Sequence, residues 1–149
     1  MNQAARERAL RILDKRDVSR RMLIDKLTEK DIPEADALEV ADWLCDLGVI
    51  NDERFAGLVV RHYAAKGYGE GRIRAELSRR GISRELWDDA VDSMPDNSDK
   101  MHKFISARLK DPNDRDQVRK VSQALYRRGY SWEDIRSALN SYNADTEEY

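Results

Sequence analysis

Cysteine, proline and histidine are all scarce in this 149-residue chain, which holds one Cys, three Pro and two His. The single thiol, Cys45, cannot close an internal disulfide. Flanked by Leu44 and Leu47 in an apolar helical pattern, it reads as a buried, inert thiol rather than a nucleophile. His62 and His102 have no second histidine or cysteine at ligand spacing, so a zinc site has no support and no metal or cofactor is expected. No run of apolar residues approaches the length of a membrane span. The N-terminal MNQAARERALRIL is threaded with charge and lacks the apolar segment of a secretory signal. The chain therefore reads as cytoplasmic, with no membrane contact. Gly67-x-Gly69-x-Gly71 follows a helical pattern and lacks the spacing of a phosphate-cradling loop, so it reads as a helix stop. Nothing assembles a catalytic site, and an enzyme is not expected.

What the chain has in abundance is charge. Charged residues make up 38% of it and hydrophobic residues 40%, for a formal net of −2. Few prolines and so many charges point to solvated helix faces rather than sheets. The near-neutral average hides an alternation. Residues 1–30 hold nine Lys/Arg against five Asp/Glu, and residues 31–53 hold eight Asp/Glu and no base. Residues 54–84 are basic, 85–99 acidic, 100–128 basic and 129–149 acidic. Basic then acidic, three times over, is the mark of a repeat.

Direct comparison supports it. Arg72 to Ile82 (RIRAELSRRGI) aligns with Lys120 to Tyr130 (KVSQALYRRGY) at an offset of 48. Ile73 then meets Val121, Leu77 meets Leu125, and Gly81 meets Gly129. At an offset of 50, Leu23 and Leu27 meet Ile73 and Leu77. Apolar residues four apart define one helix face, and the glycines stand where a helix C-terminus needs a left-handed residue. Ser19, Pro33, Asn51 or Asp52, Ser83, Ser98, Asp114 and Ser131 are placed to open helices. Nine helices of about 10–15 residues are expected. The fold expected is all-α: an elongated, curved array of three tandem three-helix repeats over 1–50, 51–97 and 98–143, with a flexible tail at 144–149. Each repeat has few large apolar residues, so neighbours are expected to share a core.

The stretch LGVINDERFA (Leu47 to Ala56), then Gly69-x-x-x-Ile73-x-x-x-Leu77-x-x-x-Gly81-Ile82, resembles the signature of the RecX family. The resemblance extends from ALRIL (Ala9 to Leu13) into the third repeat. It implies tandem three-helix units and a regulator of RecA acting in DNA repair, recombination and the SOS response. It further implies binding along the groove of the RecA–DNA filament, with inhibition of recombinase, ATPase and coprotease activity. One departure is Lys30-Asp31, where the later repeats have Arg-Gly.

With Ile73 and Leu77 facing inward, Arg72 and Arg79 fall together on an outward face, as do Lys120 and Arg127 one repeat later. Arg80 and Arg128 flank the apolar stripe, where a long side chain can snorkel. These six cations are the candidate contacts to a polyanion or an acidic groove. The first repeat has Met22 and Glu29 at the aligned positions and lacks this face. Any one arginine is equally explained by solvation or by the helix dipole; the duplicated set favours binding. Tyr68, Tyr130 and Trp132 are lesser candidates, while Trp43, Phe55 and Trp87 are expected in the core. The acidic Asp36, Glu39, Asp42 and Asp46 read as a solvated face. The partner implied is the RecA filament on DNA, bound by a monomer. Direct DNA binding without RecA is the alternative, and a general protein scaffold a third.

Overall fold

The computed structural model describes residues 1–147, with side chains as far as Asn143. Among the described residues the secondary structure is all helical: α1 (Gln3–Lys15), α2 (Arg20–Glu29), α3 (Glu34–Asp46), α4 (Asp52–Ala65), α5 (Glu70–Arg79), α6 (Trp87–Asp92), α7 (Ser98–Arg108), α8 (Arg115–Arg127) and α9 (Trp132–Glu147). They form three tandem three-helix repeats. None of these helices is long and apolar enough to cross a membrane.

The caps follow from side-chain chemistry. Ser19 accepts from the backbone N–H of Met22, Asn51 from Arg54, Asp114 from Asp116 and Gln117, and Ser131 from Asp134. Each satisfies N–H groups that the first turn leaves without an intrahelical partner. Ser83 does not cap: a single 3-10 turn, Arg84–Leu86, follows it, with no side-chain bond from the serine. α6 is consequently only six residues long, shorter than expected, while the indole N–H of Trp87 donates to the Ile82 carbonyl at 2.9 Å. At the other end, α9 continues to Glu147, five residues past Tyr142. The expected tail is thus partly helix, and residues 148–149 lie outside the described residues.

The three middle helices α2, α5 and α8 end alike. The N–H groups of Ile32, Ile82 and Tyr130 donate back to the carbonyls of Leu27, Leu77 and Leu125 at 3.1–3.2 Å. Those of Asp31, Gly81 and Gly129 donate to Thr28, Ser78 and Tyr126. This is the paired bonding of a Schellman motif, which needs a left-handed residue just past the helix. Gly81 and Gly129 supply it with φ of +71° and +98°, and Asp31 supplies it with φ of +64°. The departure at Lys30-Asp31 therefore leaves the turn intact, with an aspartate in a conformation that suits glycine.

By contacts the helices divide into two compact units. One holds Met1–Leu58 and Leu77–Ala90; the other holds Val59–Glu76 and the chain from Val91 onward. The second repeat is divided between them. The first repeat nevertheless builds a core of its own from Ala5 and Ala9 of α1, Leu23, Ile24 and Leu27 of α2, and Ala37, Val40, Ala41 and Leu44 of α3, closed by Ile50. The third does the same with Met101, Ile105, Leu109, Val121, Leu125, Tyr130 and Ile135. The first and third repeats thus each bury an apolar face of their own. In the first repeat four of the core positions are alanines, whose short side chains let the helices approach closely, so few large residues suffice. Burial of each leucine contributes about 1.5–3 kcal/mol.

Within each unit a middle helix begins on the end of the next repeat's middle helix. In the first unit the buried Ser19 hydroxyl, at the start of α2, donates to the Arg80 carbonyl just past α5. In the second, Gly69 and Gly71, at the start of α5, donate their N–H groups to the carbonyls of Arg128 and Gly129 at 2.8 and 2.9 Å. Spare donors of one helix meet spare acceptors of another, with their dipoles favourably opposed.

Candidate functional site

The α5–α8 joint of the second unit organises the candidate arginines there. Closeness of the two backbones requires glycine: a Cβ on Gly69 would lie 2.6 Å from the Gly129 carbonyl carbon and from the Tyr130 nitrogen. Around this joint Arg72 and Arg128 are drawn to one ring. Their guanidinium carbons stand 4.9 and 5.3 Å from the centroid of Tyr68, and that of Arg128 is also 4.7 Å from Phe104. Arg72 Nε also donates to the buried carboxylate of Glu76 at 3.1 Å. Arg72 is thus half-buried, with its side chain still 41% exposed. Each cation over the ring contributes about 0.5–1 kcal/mol, so these two arginines brace the joint.

Tyr130 is also structural. Its buried hydroxyl donates to the Gly67 carbonyl at 2.9 Å and accepts from Asn97 Nδ2 at 3.1 Å. Burial raises its pKa above the ordinary phenol value, and the nearby Arg128 charge partly opposes this. Asn97 Nδ2 lies 2.9 Å from the Tyr68 carbonyl as well, so the polar groups beneath the joint are well partnered.

Lys120 and Arg127 on α8 are exposed, and neither makes an ion pair among the described residues. Arg127 borders a groove of about 660 Å³ that Arg72, Arg74, Tyr126 and Ser131 also line. There Arg74 is tied to Glu70 at 2.9 Å. Beside Arg127, the rings of Tyr126 and Trp132 stack with centroids 4.7 Å apart and planes 9° apart. They remain 53% and 46% exposed. A stacked, exposed aromatic pair next to an unneutralised arginine has the composition of an interaction hot spot. Trp132 was expected among the contacts; Tyr126 was not. Its signal is its place one residue past Leu125, off the buried stripe of Val121 and Leu125.

Arg79 and Arg80 belong to the first unit. Arg79 is exposed and Arg80 half-buried, and the Arg80 carbonyl is engaged by Ser19. Of the six candidates, Arg79 and Arg80 fall in one unit, and Arg72, Lys120, Arg127 and Arg128 in the other.

Elsewhere Phe55 is buried, while Trp43 and Trp87 are half-buried beneath Arg6 and Arg84. Cys45 is half-buried, and its pKa is raised, first by burial and then by the Asp52 carboxylate. Both effects disfavour the thiolate and keep the thiol unreactive. Asp42 binds Arg20 at 2.9 Å, and Asp52 accepts from the Arg20 N–H, so these carboxylates serve local structure.

Three family models match this chain in order: the first three-helix domain of RecX over residues 5–44, the second over 51–91 and the third over 106–139. A regulatory protein RecX from Xanthomonas axonopodis pv. citri is 39% identical over 136 residues, spanning 89% of this chain and 83% of that protein. The chain belongs to the RecX family. A RecX of Chromohalobacter salexigens is 32% identical over 139 residues, covering 90% of both proteins. In fold, the crystal structure of RecX from Lactobacillus salivarius matches with a TM-score of 0.84 at 26% identity, across 95% of this chain and 96% of that one. These RecX relatives make a regulatory role the family's role, and the chain is a regulatory protein of this kind.

Proposed function

We propose that this RecX-family regulator binds the RecA–DNA filament and inhibits the recombinase, ATPase and coprotease activities of RecA. The observation that supports this most is Arg127: an exposed cation without an ion-pair partner among the described residues, beside the stacked Tyr126 and Trp132 at the mouth of a groove. Lys120 adds charge on the same helix. Arg79 and Arg80 add a second set of contacts, while Arg72 and Arg128 act by holding Tyr68 and the joint in place. Such a face needs no chemistry. Binding along a polymer restrains the motions its subunits make during ATP hydrolysis, and aromatic anchors supply affinity where charge supplies steering.

Sedimentation with preassembled RecA–DNA filaments, compared with free RecA and with DNA alone, tests the reading. The chain is expected to pellet with the filament in excess of its retention by either component. Equal retention by DNA alone would move the assignment to the DNA-binding alternative, and retention by neither would contradict it.

A further inference from the structure

The turn that follows α3 presents two aliphatic side chains to solvent: Leu47 is 58% exposed and Val49 44%. A Cβ on Gly48 between them would meet nothing within 4 Å, so the turn stands clear of its surroundings. It is nevertheless held in shape. The N–H of Gly48 donates to the Cys45 carbonyl at 2.9 Å, and those of Val49 and Ile50 donate to Leu44 at 3.0 and 3.2 Å. Arg54 Nη2 donates to the Val49 carbonyl at 3.1 Å, and the Ile50 side chain is buried in the core of the first repeat. A knob fixed on a rigid turn loses little conformational freedom on binding. Single exposed apolar side chains are ordinary; here two share one projecting, preformed turn. Its surroundings are acidic. Asp42, Asp46 and Asp52 all act on the neighbouring Cys45, and Arg20 is held by Asp42.

The chain also carries a surface of the opposite kind. The groove of about 660 Å³ between α5 and the α8–α9 turn is lined by Arg72, Arg74 and Arg127 against Glu70 and Asp134. The stacked, exposed rings of Tyr126 and Trp132 stand beside it. Aromatic rings next to arginine are the composition that anchors a partner's apolar side chains. Glu70 and Asp134 would repel a phosphate backbone laid in the groove, but they do not repel an aliphatic turn. Acidic surroundings on the knob and a net excess of arginine at the groove favour one orientation of the two surfaces.

We infer that the Leu47–Val49 turn of one copy docks in the groove beside Tyr126, Arg127 and Trp132 of a second copy of this chain. The surface given differs from the surface received, so the contact is heterologous and every copy carries one of each. It shares the face proposed for the filament but does not rest on that reading, and a groove filled in this way is withheld from other partners.

The test is sedimentation velocity of the full chain alone, without RecA or DNA, so its failure leaves the filament reading standing. One turn in one groove is a small contact, so the parent's sedimentation coefficient should climb as its concentration rises toward about 1 mM. The climb should be smaller at about 1 M NaCl, where the charges are screened. Leu47→Ser/Val49→Ser removes the knob, and Tyr126→Ser/Arg127→Glu removes the groove's anchor. All four side chains are exposed, so both variants should keep the parent's circular dichroism. Each variant alone is expected to stay monomeric. An equimolar mixture, in which one copy keeps the groove and the other the knob, should form a dimer. A parent whose sedimentation coefficient does not rise with concentration overturns the contact. So does a knob variant that associates as the parent does, or a pair of folded variants that stays monomeric when mixed.

Discussion

The backbone N–H of Gly69 donates to the carbonyl of Arg128 at 2.8 Å, fastening the start of α5 to the end of α8. That bond leaves no space for a Cβ at Gly69, whose nearest neighbours would be backbone atoms that cannot swing aside. Gly69→Ala is therefore expected to cost more than about 3 kcal/mol by urea denaturation. Gly48 is the control. It also has positive φ, but a Cβ there meets nothing within 4 Å. Gly48→Ala should cost only about 1 kcal/mol, from the left-handed conformation alone. Similar losses for the two would show that the joint does not require close approach.

Asp31 takes φ of +64° at the position where Gly81 and Gly129 end the other middle helices. Relief of the left-handed strain exceeds the added freedom that glycine gives the unfolded chain. Asp31→Gly should raise stability by about 0.5–1 kcal/mol, seen as a higher urea midpoint at unchanged m-value. A loss of stability would mean that the Asp31 side chain contributes something beyond the turn.

Tyr130 is buried with its hydroxyl bonded to Gly67 and Asn97, and its pKa is raised by burial. Removing the hydroxyl in Tyr130→Phe should cost about 1–2 kcal/mol at neutral pH. The sign of the pH dependence follows from the raised value. The unfolded phenol ionises near its ordinary pKa of about 10, before the folded one does. The hydroxyl's contribution is therefore complete below that pH and is lost as pH rises through the folded pKa. Denaturation at stepped pH should show the gap between parent and variant narrowing above about pH 10. A constant gap would contradict the assignment.

Much of the fold was legible because it rests on local rules. Leu23, Leu27, Ile73, Leu77, Val121 and Leu125, picked out by their spacing of four, are all buried. Gly81 and Gly129 end their helices as left-handed residues. What sequence did not disclose depends on how helices meet. The bond from Ser19 to Arg80 joins residues 61 apart, and no local pattern marks it. Arg72 and Lys120 align in sequence, but only Arg72 has a tyrosine ring and a carboxylate at the joint to hold it.

Regulation of RecA through the α8–α9 face is tested most directly by the rate of DNA-dependent ATP hydrolysis by RecA, titrated with the parent chain and with Lys120→Glu/Arg127→Glu. Both side chains are exposed, so the variant should match the parent in circular dichroism and melting temperature. It should then need at least about tenfold more protein for half-maximal inhibition. A folded variant that inhibits at the parent's concentration would contradict the assignment of this face.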